Sequence, residues 1–492
     1  MSGLDIDPLA GVSPKETPMK FSPDQTEMPP DLHALLALQR DDVRRHGAPS
    51  YAQRIAALDA LSNMVKQHRH ELVRTISADF GNRAATETEL SELMSVRNGI
   101  KHVRTHLKSW MRPQRRKVGI AFRPASAQIV YQPLGVIGIL APWNYPLTLT
   151  LGPLTEALAA GNRVMIKPSE LTPRTSALLG KLIGETFPVE QVTVVTGGPD
   201  LAEAFCTLPF DHLLFTGSTH VGRQVMIAAA RNLTPVTLEL GGKSPVVLCR
   251  DYPLRKAARI IAIGKFFNAG QTCVAPDYVL VPRDLTETFA DALFDAAREL
   301  YPTIAGNDDY TSIISDRHYR RLAGMIDEAE STGAKIRQIA DVHAAAERKI
   351  PPAILTGVVA DATIMRDEIF GPLVPVVGYD SLDDAINFIN NRPKPLALYC
   401  FSHRCAVIAD LLERTRSGGV TVNGTMLHAA QEDLPFGGVG ESGTGAYHGY
   451  DGFVRMSHSR GVLRVNRFNM FDRVAAPYGK LSRLVTRIML GK

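Results

Sequence analysis

The sequence predicts an α/β protein: a doubly wound parallel-sheet nucleotide-binding domain, a second α/β domain and a small β element. Three observations predict it. From residue 136 onward, short apolar strands alternate with helical stretches. The alternation resumes after the Gly-Gly break at 241–242. A strand-like run at 127–131 stands outside both series. With 492 residues, 45% hydrophobic and 21% charged, the chain has ordinary globular composition and is too long for one core.

Residues 1–30 are rich in Pro, Ser, Asp and Glu without apolar periodicity, which predicts a flexible arm. Leu32, Leu35, Leu36 and Leu38 then open a helical pattern. Spacings of three and four predict two more helices, about Tyr51–Phe80 and Glu87–Trp110. The basic stretch Arg112–Lys117 breaks the pattern at a proline and is expected as a solvated loop. Ala127–Tyr131 alternates as a strand, ended by Pro133. Standing apart, the strand at about 124–134 is expected to serve oligomerisation.

Four buried strands follow: Val136–Leu140, Val164–Ile166, Val192–Val195 and His212–Phe215. Helices are expected after Pro146, Pro173, Pro199 and Gly217. In the second unit the expected strands are Val246–Cys249, Tyr278–Val281, Leu373–Tyr379 and Leu398–Phe401. Residues 427–465 are Gly-rich and then strand-like, which suggests a bridging or oligomerisation segment. The tail, 466–492, carries Leu481, Leu484, Val485 and Ile488 at helical spacing beside Lys480, Arg483 and Arg487. Such a helix can lie on a membrane surface, but docking on its own protein is the expected arrangement.

Composition excludes several classes. A net charge of +5 against 55 basic and 50 acidic residues, with no long basic block, gives no expectation of a nucleic-acid partner. Five cysteines at irregular spacings predict a reducing, cytoplasmic setting rather than a disulfide framework. Cys400, His403 and Cys405 have metal-like spacing but no second ligand pair, so no metal site is expected. The longest apolar stretch, around 134–143, is too short to span a bilayer, and the acidic N-terminus is not a secretory signal.

The chemistry-bearing stretches begin with Gly270-Gln271-Thr272-Cys273-Val274-Ala275-Pro276, just after the apolar run Ile260–Phe267. A free thiol has a pKa of roughly 8.5 and is a strong nucleophile, although most single cysteines are simply buried. Phe215-Thr216-Gly217-Ser218, with Gly222 further on, places free N–H groups at a helix start where a pyrophosphate can sit. Its spacing is not the usual G-x-G-x-x-G. Lys167 and Glu170 follow a strand and suit ribose hydroxyls, or solvated loop charges. Asn144, between Pro142-Trp143 and Pro146, can donate to an oxyanion, or stiffen a turn. Glu239, before Gly241-Gly242, is a candidate base. Glu368 and Phe370 offer a carboxylate and a ring for a nicotinamide riboside.

Taken together and in this order, these motifs resemble the aldehyde dehydrogenase superfamily over roughly residues 31–465. The stretches Gly418–Asn423, Leu434–Gly440 and Ala446–Gly449, with Cys273–Tyr278, look most like class 3 enzymes and bacterial coniferyl-aldehyde dehydrogenases. The resemblance implies an NAD(P)-binding domain at 31–240 and a catalytic domain at 241–426. It implies that Cys273 attacks the aldehyde carbonyl and that the Asn144 side chain and Cys273 N–H hold the oxyanion. Glu239 then activates the water that hydrolyses the thioester. Trp143, Lys167, Glu170, Gly217, Ser218, Gly222, Glu368 and Phe370 form the implied cofactor set.

The expected cofactor is NAD, with NADP possible. The expected product is a free carboxylic acid from an aromatic or medium-chain aldehyde, made by a homodimer. Alternatives are a CoA-acylating dehydrogenase, which typically lacks the glutamate matching Glu239, or a non-catalytic protein on the same scaffold. A membrane- or RNA-associated module using the basic tail is a third.

Overall fold

Alternation of side chains along the strands sets the layers of the first sheet. Ile137 and Ile139 face a core shared with Leu58, Leu61, Ile100, Val103 and Leu154. Val136 and Leu140 face Leu32, Leu36, Phe205 and Val225 on the other side. A sheet covered by helices on both faces is the doubly wound arrangement. The computed structural model describes residues 31–341, 343–467 and 474–491, so the arm expected at 1–30 lies outside the described residues.

The first sheet runs Gly443–Thr444, Val236–Glu239, His212–Thr216, Val136–Leu140, Arg163–Lys167, Val192–Val194. All pairs are parallel except the first. The chain starts in the middle at Val136–Leu140, winds outward through 192–194, then returns across to 212–216. The crevice between the carboxyl ends of the neighbouring strands 136–140 and 212–216 is where such sheets bind ligands.

The second sheet runs Lys335–Gln338, Ala353–Thr356, Leu373–Tyr379, Tyr278–Pro282, Pro245–Leu248, Ala397–Phe401, Gly419–Val422, antiparallel only at its first pair. Its two faces are again helix-covered, Val247 and Leu398 on one side and Val246 and Tyr399 on the other. Each fully buried Leu or Val here contributes about 1.5–3 kcal/mol. Three of its strands, at 335–338, 353–356 and 419–422, went unread because they are short and lack clear alternation.

Several expectations change. Tyr51–Phe80 is two helices, Tyr51–Gln67 and Arg69–Phe80, meeting at His68. Glu87–Trp110 is a turn of helix at Ala85–Thr88, a π-helical segment at Glu89–Met94 and the helix Ser95–Trp110. The stretch Arg112–Lys117 is not simply loop, because Gln114–Arg116 is a strand. Nor does 127–131 stand apart: Ser126–Pro133 pairs antiparallel with both Gln114–Arg116 and Ser457–Arg464. Its long partner, Ser457–Arg464, arrives from the far end of the chain, more than 300 residues away.

The tail does form a helix, Lys480–Met489. Its apolar stripe is not docked as expected: Leu481, Leu484 and Ile488 are 48%, 54% and 69% exposed.

Candidate active site

The carboxyl edge of the first sheet faces the amino edge of the second. Loops after strands 136–140, 212–216 and 236–239 meet those preceding strands 278–282, 373–379 and 397–401. Between them lies a cavity of about 300 Å³ lined by Trp143, Asn144, Gly217, Ser218, Glu239, Cys273, Glu368 and Phe370, with His318 and Arg321. Eight expected site residues therefore share one cavity.

Three do not line it. Lys167 ends strand 163–167, and its Nζ pairs with Glu170 at 2.8 Å. Gly222 lies inside helix Thr219–Ala230, where an added Cβ would come 2.6 Å from Leu240 Cδ2. Its role is close packing of helix on strand, which the third glycine of a nucleotide fingerprint also serves.

Cys273 reaches the cavity from a contorted loop. Helix Leu254–Phe266 ends in a tight turn with Asn268 and Ala269 at φ 52° and 49°. Gly270 follows at φ 75°, and a Cβ there would lie 2.2 Å from the Gly371 carbonyl, so only glycine fits. Gln271 pins the loop: its amide donates to the Asn268 and Ser312 carbonyls and its oxygen accepts from Ile314 N–H. Burial pushes the Cys273 thiol up to about 12, reinforced by Glu368 and Glu239. The N–H groups of Cys273 and Val274 act the other way, favouring the thiolate. The thiol is therefore protonated at rest.

Glu239 ends strand 236–239. Its backbone is fixed by Gly217 N–H on one side and by pairing with Gly443 on the other. Both carboxyl oxygens are buried without a hydrogen-bond partner. Burial holds its pKa well above the ordinary carboxylate range, opposed by the Arg455 guanidinium. Burial therefore favours the protonated carboxyl, which must lose that proton before it can serve as a base.

Asn144 is 3% exposed, and its side-chain N–H donates to the Gln271 carbonyl at 3.2 Å. Its own carbonyl accepts from Arg83 at 3.0 Å and from Asn268 at 3.2 Å. Arg83 is completely buried between the rings of Phe80 and Tyr145 and is bound to Glu92 at 2.9 Å. Glu92 also accepts from Leu147 and Thr148 N–H, anchoring the start of helix Thr148–Ala160. Arg83 and Glu92 were missed because they reach the site through distant partners, the Asn144 carbonyl 61 residues from Arg83 and the Leu147 N–H 55 residues from Glu92.

On the far side, Lys243 pairs with Asp277 and donates to the Ile364 and Asp367 carbonyls. Asp277 in turn accepts from Ile369 N–H. This holds the loop that presents Glu368, whose carboxyl burial pushes up to about 8. Phe370, at φ 50°, is strained into place against Trp143, ring centroids 5.4 Å apart. Lys265 is also buried there, with no partner for its ammonium, and burial lowers it to about 8. Its signal was present: a lone charge four residues after buried Ile261 on a buried helical stripe.

The cavity suits a dinucleotide. Ser218 caps helix Thr219–Ala230, accepting from Val221 N–H at 3.4 Å, so the helix's positive end opens toward the site. Added Cβ atoms would lie 2.4 Å from the Phe215 ring at Gly217 and 1.9 Å from Glu368 at Gly241, so bare backbone lines the cradle. Among the described residues no group of three or more His, Cys, Asp or Glu could hold a metal ion.

Comparisons with known proteins agree with this geometry. The sequence profile described as the aldehyde dehydrogenase family matches residues 29–462. A protein named "Probable coniferyl aldehyde dehydrogenase" from Pseudomonas aeruginosa is 49% identical over 93% of this chain and 96% of its own. The substrate-bound structure of Staphylococcus aureus AldH superposes with a TM-score of 0.85 at 37% identity, covering 89% of this chain and 94% of that one. The crystal structure of an NAD-dependent aldehyde dehydrogenase from Sinorhizobium meliloti gives 0.80 at 26% identity, covering 88% and 87%.

Proposed function

Because the chain belongs to the aldehyde dehydrogenase family and is an NAD(P)-dependent oxidoreductase, we propose that it converts an aromatic aldehyde such as coniferyl aldehyde to the free acid through Cys273. The observation that carries the proposal is Glu239: a buried carboxyl with both oxygens unpartnered, in the same cavity as the thiol.

Cys273 Sγ adds to the aldehyde carbon as its proton passes to solvent water. The new oxyanion is met by the Cys273 N–H and, once it turns from the Gln271 carbonyl, by the Asn144 amide. The nicotinamide, when bound, supplies the hydride acceptor, and the acyl group is left on Cys273 as a thioester. Glu239 takes a proton from a water that attacks that thioester, and the acid departs as Sγ recovers its proton.

Gly217, Ser218 and Trp143 would hold the pyrophosphate side, Lys167 and Glu170 the adenosine ribose, and Glu368 and Phe370 the nicotinamide side. The Glu170 carboxylate would repel a 2′-phosphate, so NAD is the preferred form. The reading of a coniferyl-type substrate rests on the relative's printed name and on the aryl-lined cavity, with Trp143, Phe370 and Phe436.

All five cysteines are free, in keeping with a reducing cytoplasmic setting. A homodimer is the expected assembly. With strand 126–133 paired on both sides, the exposed apolar residues Met226, Ile227 and Leu233 at helix Thr219–Ala230 are the surface for it. Light scattering at micromolar concentration should return twice the chain mass, and a monomer mass refutes the dimer.

The substrate reading is tested by NADH formation over a panel of aromatic and aliphatic aldehydes, with and without CoA. Aryl substrates should lead in kcat/KM, and CoA should change neither rate nor product. An acyl-CoA product would replace hydrolysis by acyl transfer.

A further inference from the structure

A second hollow, a groove of about 800 Å³, lies on the helical layer and shares no lining residue with the catalytic cavity. Helix Tyr51–Gln67 forms one wall. The π-helical segment Glu89–Met94 and the start of helix Ser95–Trp110 form the other. The walls run antiparallel, and an ion pair clasps each end: Arg104 with Asp59 at 2.7 Å, and Arg69 with Glu89 at 2.7 Å.

Between the clasps the lining is sorted by chemistry. Val65, Leu93 and Ile100 are buried and make the floor. Leu90 and Met94 line one end and are each 48% exposed. The π-helical segment turns these two outward while it turns Glu92 in, and such segments recur at functional sites. Towards the other end stand Lys66, Arg97 and Lys101. All three are exposed, and none has an ion-pair partner among the described residues. The sequence holds no Asp or Glu from 93 to 155, so that wall carries no carboxylate to offset them.

We infer that this groove binds an amphipathic carboxylate. Lys66, Arg97 and Lys101 hold its anionic head, and its apolar body lies along Met94 and Leu90. The volume falls among those of small-molecule sites. The helical rise from Arg97 back to Leu90 is roughly 10 Å, the reach of a medium-chain or arylpropenoic acid. Acids of that class are what the proposed aldehyde oxidation makes. Naming the ligand as a product rests on that reading, whereas the sorting of charge and apolar surface does not. Charge complementarity selects the occupant. A second copy docked across a two-fold axis would set these cations against each other. A nucleic acid would answer the cations but leave Leu90 and Met94 in water.

Calorimetric titration of the full-length protein with decanoate, below its micelle concentration, tests the inference. Decanoate should bind, and the uncharged decanol should bind about tenfold more weakly or less well still. Arg97→Glu with Lys101→Glu should weaken decanoate about tenfold or more, and so should Met94→Glu, which sets a like charge in the path of the apolar body. NADH formation by both variants should match the native rate, since none of these residues lines the catalytic cavity.

No binding of decanoate, or equal affinity for decanol, overturns the inference. So does an affinity unchanged in both variants, which would place decanoate in the catalytic cavity instead. A lower solution mass for Met94→Glu would make the groove an interface between copies. Binding of polyglutamate without decanoate would assign it to an acidic protein. If decanoate binds as expected but the aldehyde panel yields no acid, the groove stands and only its link to the product falls.

Discussion

At the scale of single residues, the two groups proposed to react are held in protonation states that suit rest rather than reaction. Burial pushes the Cys273 thiol up to about 12 and raises the Glu239 carboxyl well above its ordinary value of 4.5. A protonated Glu239 cannot take a proton from water, and raising its pKa extends that protonated state to higher pH. Turnover should therefore fall as pH drops, along an acid limb of kcat set well above 4.5. A kcat flat down to pH 5 would remove Glu239 from the base role. Cys273, Glu239, Asn144 and Glu368 were legible in the sequence because each sits beside a Gly or Pro that marks a turn at a strand end. Arg83 and Glu92 were not, since their meaning lies in partners that appear only on folding, and Lys265, a lone charge on a buried helical stripe, was passed over. Asn144 was legible as a site residue, but its present donation to Gln271 was not.

At the scale of elements, the π-helical segment Glu89–Met94 connects the helical layer to the site. It turns Glu92 inward, where one carboxylate holds both the start of helix Thr148–Ala160 and the guanidinium that binds the Asn144 carbonyl. Glu92→Ala leaves Arg83 buried with only Glu87 nearby, 3.7 Å away. Breaking a buried pair this way costs about 3–5 kcal/mol, which a thermal melt reads as a lowered Tm. The folded variant should also lose kcat toward the roughly hundred-fold deficit expected of Asn144→Ala, because the same turn carries the oxyanion donor. A destabilised variant with full kcat would confine the network to structure. Strand positions and helix alternation were readable from apolar runs, as at 136–140 and 278–282. The break at His68 and the π-helical segment were not, because periodicity passes through both with little change.

At the scale of the whole molecule, two sheets meet edge to edge, and the proposed chemistry lies where the carboxyl edge of one faces the amino edge of the other. The first presents Asn144, Gly217 and Glu239, the second Cys273 and Glu368. Two such units were legible from the alternation and from Gly241-Gly242. The threading of 427–464 back through both was not, because Gly443–Thr444 and Ser457–Arg464 find their partners some 200 and 330 residues away. The account's central claim is that an acyl group passes from aldehyde to Cys273 and is released by water through Glu239. Glu239→Gln separates those halves. Rapid mixing of that variant with NAD and an aromatic aldehyde should give an NADH burst approaching one equivalent per site, then little turnover. The intact mass should show Cys273 carrying the acyl group. Steady turnover near the native rate, or no burst and no adduct, would contradict the account.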